Sequence, residues 1–197
     1  MSKLLQSGEN TWVKSIAERL EESLKTLGKD YNHLRIKTGY RLPYAFEVLN
    51  YNDQEPQRPN ISRYQTDLLI YEDTDKNSWV PRVVIECKLA KVSTHDALTY
   101  STKAFTHKHV HPYLRYGILI GKQRNRAVPA RVFRHGAFFD FMVTWVNARA
   151  SKDEWKSWLN LIRDEIEASR ITEKLLTTNR KKNRKRPALI HRHLIVK

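Results

Sequence analysis

The chain has 197 residues, 40% of them hydrophobic, with five tryptophans, six glycines and a single cysteine. That length and composition suit one domain with a sizeable core and exclude a disordered chain, while a lone Cys87 excludes an internal disulfide and a cysteine-built zinc site, in keeping with a reducing compartment. Against 21 Asp and Glu stand 36 Lys and Arg, a formal charge of +15 that calls for a polyanionic partner, nucleic acid first among them.

The first expected element is a helix over residues 8–27, with Trp12, Val13, Ile16, Leu20, Leu24 and Leu27 on one stripe and Gly28 as its stop. A polar passage leads to a strand over 44–51, a turn-rich loop over 52–60 and a second strand over 63–72. An acidic connection over 72–81 then joins a third strand, 81–89, and the three strands read as an antiparallel meander. Ser93 or Thr94 can cap a helix over 93–110, packed through Ala97, Leu98, Ala104 and Phe105. The apolar "RYGILIG" (115–121) suits a buried strand after a crossover helix, and "KQRNRAVP" a basic loop. A strand over 136–146 and a serine-capped helix over 151–176 close the succession. The class is therefore α/β with a mixed sheet.

Residues 180–197 hold eight bases and no acid, so residues 1–179 form the expected domain and 180–197 a basic C-terminal tail. The remainder still counts 28 bases against 21 acids, about +7. No apolar run nears the ~20 residues of a membrane span and no signal-peptide pattern opens the chain, so a cytoplasmic protein without membrane contact is expected. In a eukaryotic cell "RKKNRKR" (180–186) can also serve as a nuclear address.

The chemistry concentrates in "RVVIECKLAKVSTHDALTYS" (82–101). After the apolar Val83, Val84 and Ile85, strand alternation sends Glu86 and Lys88 to one face and Cys87 to the other. Asp67 opens the preceding strand's apolar run, and a hairpin with 18 residues between them can set it beside Glu86. Two converging carboxylates repel unless a cation lies between them, and Mg²⁺ suits one or two carboxylates with phosphate oxygens. Lys88 on the same face can orient a water or offset developing charge. A plain ion pair between Glu86 and Lys88 is the competing reading.

"TD", 18 residues and "ECK", preceded by a helix and followed by a helix and an apolar strand, resemble the PD-(D/E)xK nuclease superfamily. Thr66 stands where that nominal motif has proline. The resemblance implies a restriction-endonuclease-like αβββαβ core over about residues 8–121, a mixed central β-sheet flanked by helices. It implies a Mg²⁺-dependent DNA endonuclease, with Mn²⁺ a workable substitute and double-stranded DNA as partner. Asp67 and Glu86 become metal ligands with the main-chain carbonyl of Cys87, and Lys88 the catalytic lysine. Members often carry a further glutamate on the first helix; here Glu9 lies near the centre of the apolar stripe, Glu21 at its edge, and Glu18 and Glu22 point away. Two cuts across a duplex call for two active sites, so a homodimer is consistent with this activity.

Further DNA contacts are expected from Lys103 and His107, four apart on one helix face, from Lys122, Arg124 and Arg126 in the basic loop, and from Lys181, Lys182, Arg184, Lys185 and Arg186 in the tail. Glu47 reads as a polar residue on a half-exposed strand, and "HKHVH" (107–111) lacks a fourth ligand for zinc. The alternatives are a non-catalytic DNA-binding module that retains the nuclease fold, and an RNA-binding protein using its basic arm. Deleting residues 180–197 should flatten the salt dependence of nucleic-acid binding, because each neutralised phosphate releases counterions. Binding isotherms of full-length and truncated protein at several salt concentrations check this; equal slopes would take the tail off the polyanion.

Overall fold

The computed structural model describes residues 3–57, 60–74, 77–125, 127–178 and 194–196, and their side chains except at 3–7 and 178. A five-stranded sheet runs in the order β1 (Leu34–Thr38), β6 (Leu68–Asp73), β7 (Trp79–Leu89), β8 (Arg115–Gly121), β9 (Phe141–Thr144). Pairings β1–β6 and β6–β7 are antiparallel, whereas β7–β8 and β8–β9 are parallel, so the sheet is mixed and the fold α/β. The helix α2 (Thr94–Val110) makes the crossover between the parallel pair β7 and β8.

Alternation on β7 divides the core. Val83, Ile85 and Cys87 join the larger cluster, where α1 (Lys3–Lys25) and α4 (Lys152–Thr178) cover one face of the sheet. Trp12, Ile16, Leu20 and Leu24 come from α1, and Trp155, Trp158, Ile162 and Ile166 from α4. Trp145, following β9, sits between them edge-on to Trp12 and Trp158 at ring distances of 6.2 and 5.2 Å. On the opposite face Leu69, Val84 and Tyr116 pack with Ala104, and Ile118 and Ile120 with Ala97. Small residues at Ala97, Ser101 and Ala104 let α2 lie close on the sheet. Ser93 caps it, its hydroxyl accepting from the Asp96 amide while Asp96 accepts from the Ser93 amide.

Several expected elements differ. The first strand of the antiparallel trio is Leu34–Thr38, not 44–51. Gly39, at φ 64°, turns the chain off the sheet after β1. Residues around 44–51 instead belong to two small antiparallel pairs: β2 (Arg41–Glu47) with β5 (Asn60–Gln65), and β3 (Asn50–Asn52) with β4 (Glu55–Gln57). The strand expected over 63–72 is two strands. The chain leaves β5 at Gln65, the Thr66 amide donates to the Tyr40 carbonyl, and Leu68 enters the main sheet. The loop expected over 122–129 carries no helix or strand in its described residues; a short helix not expected, α3 (Ala130–His135), follows it, and the strand expected over 136–146 is the four-residue β9. Leu98 and Phe105, expected to pack, are among the exposed apolar residues.

Ion pairs tie α4 to the early part of β7 and β8. Arg82 on β7 reaches Glu72 (2.7 Å) and Glu173 (2.6 Å), and Arg170 grips the same Glu72 (2.5 Å). Burial alone would raise the Glu72 carboxyl, but Arg170 and Arg82 together hold it below its ordinary value. Arg115 at the start of β8 pairs with Asp140 (2.8 Å) and Glu165 (2.5 Å).

The sheet is closed tightly at Gly117, where a Cβ would lie 2.2 Å from the Phe141 ring of the paired strand β9. Gly117→Ala should therefore destabilise the protein by about 1–3 kcal/mol, the usual cost of overpacking a core. Urea unfolding measures it; an unchanged midpoint would mean that the ring shifts freely.

Candidate active site

The site follows from strand register. Leu68, Leu69 and Ile70 are fully buried, and burial pairs Leu68 with Ile85 across the β6–β7 hairpin. Asp67, one residue before Leu68, is thereby set opposite Glu86, one residue after Ile85. A slip of one residue would set Glu86 against the fully buried Leu68, or Asp67 against Ile85, so burial of the two apolar runs fixes the meeting of the two acids. The Cys87 amide donates to Asp67 Oδ2 at 2.8 Å.

Glu86 is almost wholly buried. Burial first, and then the charge of Asp67, pushes its carboxyl up to about 7. Asp67 is raised as well, by burial, against the opposing pull of the Cys87 amide and of Lys103. Tyr116, beneath the site on β8, donates its hydroxyl to Glu86 Oε1 at 2.5 Å. Tyr100 and Tyr116 are both held far toward the phenol form, by burial and then by the charge of Glu86.

Two lysines frame the acids. Lys103, from α2, lies 3.4 Å from Glu86 Oε1 and donates to the Gln65 carbonyl at 3.0 Å, its ammonium 5.2 Å from the centre of the Tyr100 ring. Lys88 lies on the other side of the strand end, 3.4 Å from Glu9 Oε1 and 3.9 Å from Asp96 Oδ1. The Leu89 amide donates to Glu9 Oε2 at 2.9 Å. Glu9 thus reaches the end of β7 from α1, and its described contacts are with Lys88 and Leu89. The direct ion pair between Glu86 and Lys88 is not formed; each has another partner.

Among the described residues no group of three or more His, Cys, Asp or Glu is arranged to hold a metal ion. The test for Mg²⁺ therefore falls on Asp67 and Glu86 alone. Burial raises both carboxyls, and the neighbouring charge of Asp67 adds to the rise at Glu86. Mg²⁺ asks for only one or two carboxylates beside waters and phosphate oxygens, so the donor set fits.

The remaining expected contacts divide. His107 is a correction: it is fully buried, donates from its Nε2–H to the Leu42 carbonyl (3.2 Å), stacks on Tyr116, and cannot meet a DNA backbone from there. Burial lowers its imidazole to about 4, so it is neutral at physiological pH. Lys103, expected at a phosphate, faces the acidic pair instead. Lys122 and Arg124 are exposed on the loop that leaves β8, and Leu89 pairs with Gly121 at that same end of the sheet. Glu47 is exposed and accepts from Asn60. Arg126 and Lys181, Lys182, Arg184, Lys185 and Arg186 lie outside the described residues. Tyr100, Asp96 and Tyr116 were not anticipated; the alternation of "RYGILIG" puts Tyr116 on the Glu86 face once the parallel register is known.

Glu86 and His107 drive stability in opposite directions. A carboxyl raised in the folded state stabilises below its unfolded value and loses that contribution as pH climbs through the folded one. A lowered histidine stabilises above its unfolded value and loses that as pH falls. Relative to wild type, Glu86→Gln should gain stability from about pH 4.5 to 7, and His107→Gln from pH 6.5 down to about 4, each by a few kcal/mol. Urea unfolding in EDTA across this range checks both signs; parallel curves for all three proteins would contradict them.

No protein-family model matches the chain, and no curated protein matches it at a significant level.

Proposed function

We propose that the chain is a Mg²⁺-dependent deoxyribonuclease, a restriction-like endonuclease that hydrolyses phosphodiester bonds of duplex DNA. The observation that carries this reading is the meeting of two raised carboxyls, Asp67 and Glu86, beside Lys88 at the end of β7. The succession α1, β1, β6, β7, α2, β8 supports the likeness to the PD-(D/E)xK nucleases, since it follows their αβββαβ order. The charge of +15 supports a polyanionic substrate.

Asp67 and Glu86 would hold the cation, with the main-chain carbonyl of Cys87 as a third oxygen. When bound, a divalent cation polarises a phosphate oxygen and makes its water more acidic. Lys88 offers hydrogen bonds to the attacking water and to a phosphate oxygen, offsetting negative charge as it builds. Glu9 and Asp96 aim its ammonium from two helices, so Glu9 serves the site as the anchor of Lys88. Lys103 holds positive charge at Glu86 and can pass to the substrate backbone as the cation enters.

A non-catalytic DNA-binding module is the second reading, and Lys103 favours it, since the ammonium already neutralises part of the acidic pair. Cleavage decides between the two. Lys88→Ala should lower plasmid cleavage in Mg²⁺ by about 100-fold or more, with DNA affinity nearly unchanged. Asp67→Asn should abolish cleavage too, but with equal or tighter DNA binding in EDTA, because a negative charge facing phosphate is gone. A purely structural pairing of Lys88 with Glu9 predicts neither. Cleavage by Lys88→Ala at the wild-type rate, in a preparation free of other nucleases, would end the nuclease reading.

A further inference from the structure

A second feature adjoins the acidic pair and is not explained by the chemistry there. The β2–β5 ribbon leaves the main sheet immediately before Asp67, with Arg41 paired to Gln65 at its base. One side of it is docked. Leu42 is buried, its carbonyl meets His107, and Tyr44 stacks on Tyr64 at 3.8 Å with both rings edge-on to His107. Alternation turns Arg41, Arg63 and Gln65 the other way, and all three are exposed. An open groove of about 370 Å³ lies on the ribbon, lined by Arg41, Tyr44, Asn60, Ile61, Ser62 and Arg63.

Its chemistry is that of an anion seat. Neither guanidinium has a carboxylate partner among the described residues; Arg63 donates only to the Ile61 carbonyl, at 3.1 Å. Ser62 and Tyr44 add neutral hydrogen-bonding groups, while the Asn60 amide is engaged by Glu47 at the ribbon's far end. Arg63 lies four positions before Asp67, at most about 13 Å along the chain. A two-stranded antiparallel ribbon also has the width that enters the major groove of B-form DNA. A duplex whose scissile phosphate lies at Asp67 and Glu86 therefore passes along this face.

We propose that the outward face of the β2–β5 ribbon is a substrate-binding surface, where Arg41 and Arg63 each hold a phosphate of the duplex flanking the scissile bond. The proposal rests on the nuclease reading for the position of that bond, and on the ribbon's own charge for the contact. The two guanidiniums act in binding and take no part in the bond cleavage. Because the ribbon is anchored through buried Leu42 and the aromatic stack, it presents them rigidly relative to the acidic pair.

The test is the salt dependence of binding, read by fluorescence anisotropy with a labelled duplex of about 20 base pairs in EDTA, so that no cleavage occurs. In the full chain, Arg41→Ala with Arg63→Ala should lower the log–log slope by about 2, since each lost phosphate contact is worth roughly 0.9. A charge-matched control, Lys25→Ala with Arg163→Ala on α1 and α4, should keep the wild-type slope. Both double variants remove exposed or half-exposed side chains and should keep the wild-type melting temperature. Equal slopes for the two double variants would overturn the proposal. So would a concentration-dependent dimer lost in Phe46→Ser, with the binding slope unmoved by Arg41 and Arg63; the exposed Phe46, Leu49 and Tyr51 would then belong to a contact with a second copy of the chain. Duplex binding that depends on Arg41 and Arg63 in a protein that never cleaves would keep the ribbon and remove only the nuclease reading. A wild type that binds no duplex would remove both.

Discussion

Two carboxyl groups that the fold forces together in a buried place are the constraint around which the rest of this end of the molecule is arranged. Asp67 and Glu86 cannot separate without breaking the register that buries Leu68 against Ile85, and that register is held by the apolar runs of both strands. The core therefore supplies the free energy that keeps a repulsive pair in contact. Isolated buried carboxylates would be very costly, and the molecule lowers that cost through the Cys87 amide, the Tyr116 hydroxyl and the Lys103 ammonium. Even with these partners, burial keeps both carboxyls raised.

The two ends of the sheet treat charge differently. Near the starts of β7 and β8, Arg82 and Arg115 are met by Glu72, Glu173, Asp140 and Glu165 at 2.5–2.8 Å, a set of short pairs that fastens α4 to the sheet. At the far end of β7 the pairs are longer, 3.4–3.9 Å; Glu9 is shared between Lys88 and the Leu89 amide, and Lys103 divides its donors between Glu86 and the Gln65 carbonyl. Tight pairing suits a fastening; looser pairing suits groups that must exchange partners with an incoming anion and cation. The second end is also where the exposed loop of Lys122 and Arg124 and the base of the β2–β5 ribbon converge.

Much of this arrangement could be read along the chain. The strand at 115–121 and the long last helix declare themselves through an unbroken apolar run and a wide 3.6-residue stripe, and the phase of α1 pointed to Glu9 over Glu18. Other parts depend on tertiary partners. "LRIKT" looks like a polar passage because Lys37 alternates with apolar residues, yet it forms β1: the ammonium lies over the Tyr71 and Trp79 rings at 4.4 and 4.2 Å. The break at Thr66 is invisible in hydrophobicity, since it is a change of pairing partner from β2 to β1. On α2 the shared face of Lys103 and His107 was readable from their spacing, but its direction was not. The small residues Ala97, Ser101 and Ala104 mark the side turned to the sheet, and they carry Lys103 toward Glu86 and His107 under the Tyr44–Tyr64 stack.

If Asp67 and Glu86 together hold a divalent cation, Mn²⁺ binding to the metal-free protein, measured by isothermal titration calorimetry without DNA, shows a specific site in the wild type that is lost in a protein carrying both Asp67→Asn and Glu86→Gln, with the folded state retained. Equal Mn²⁺ binding by the two proteins, or none by either, would contradict it.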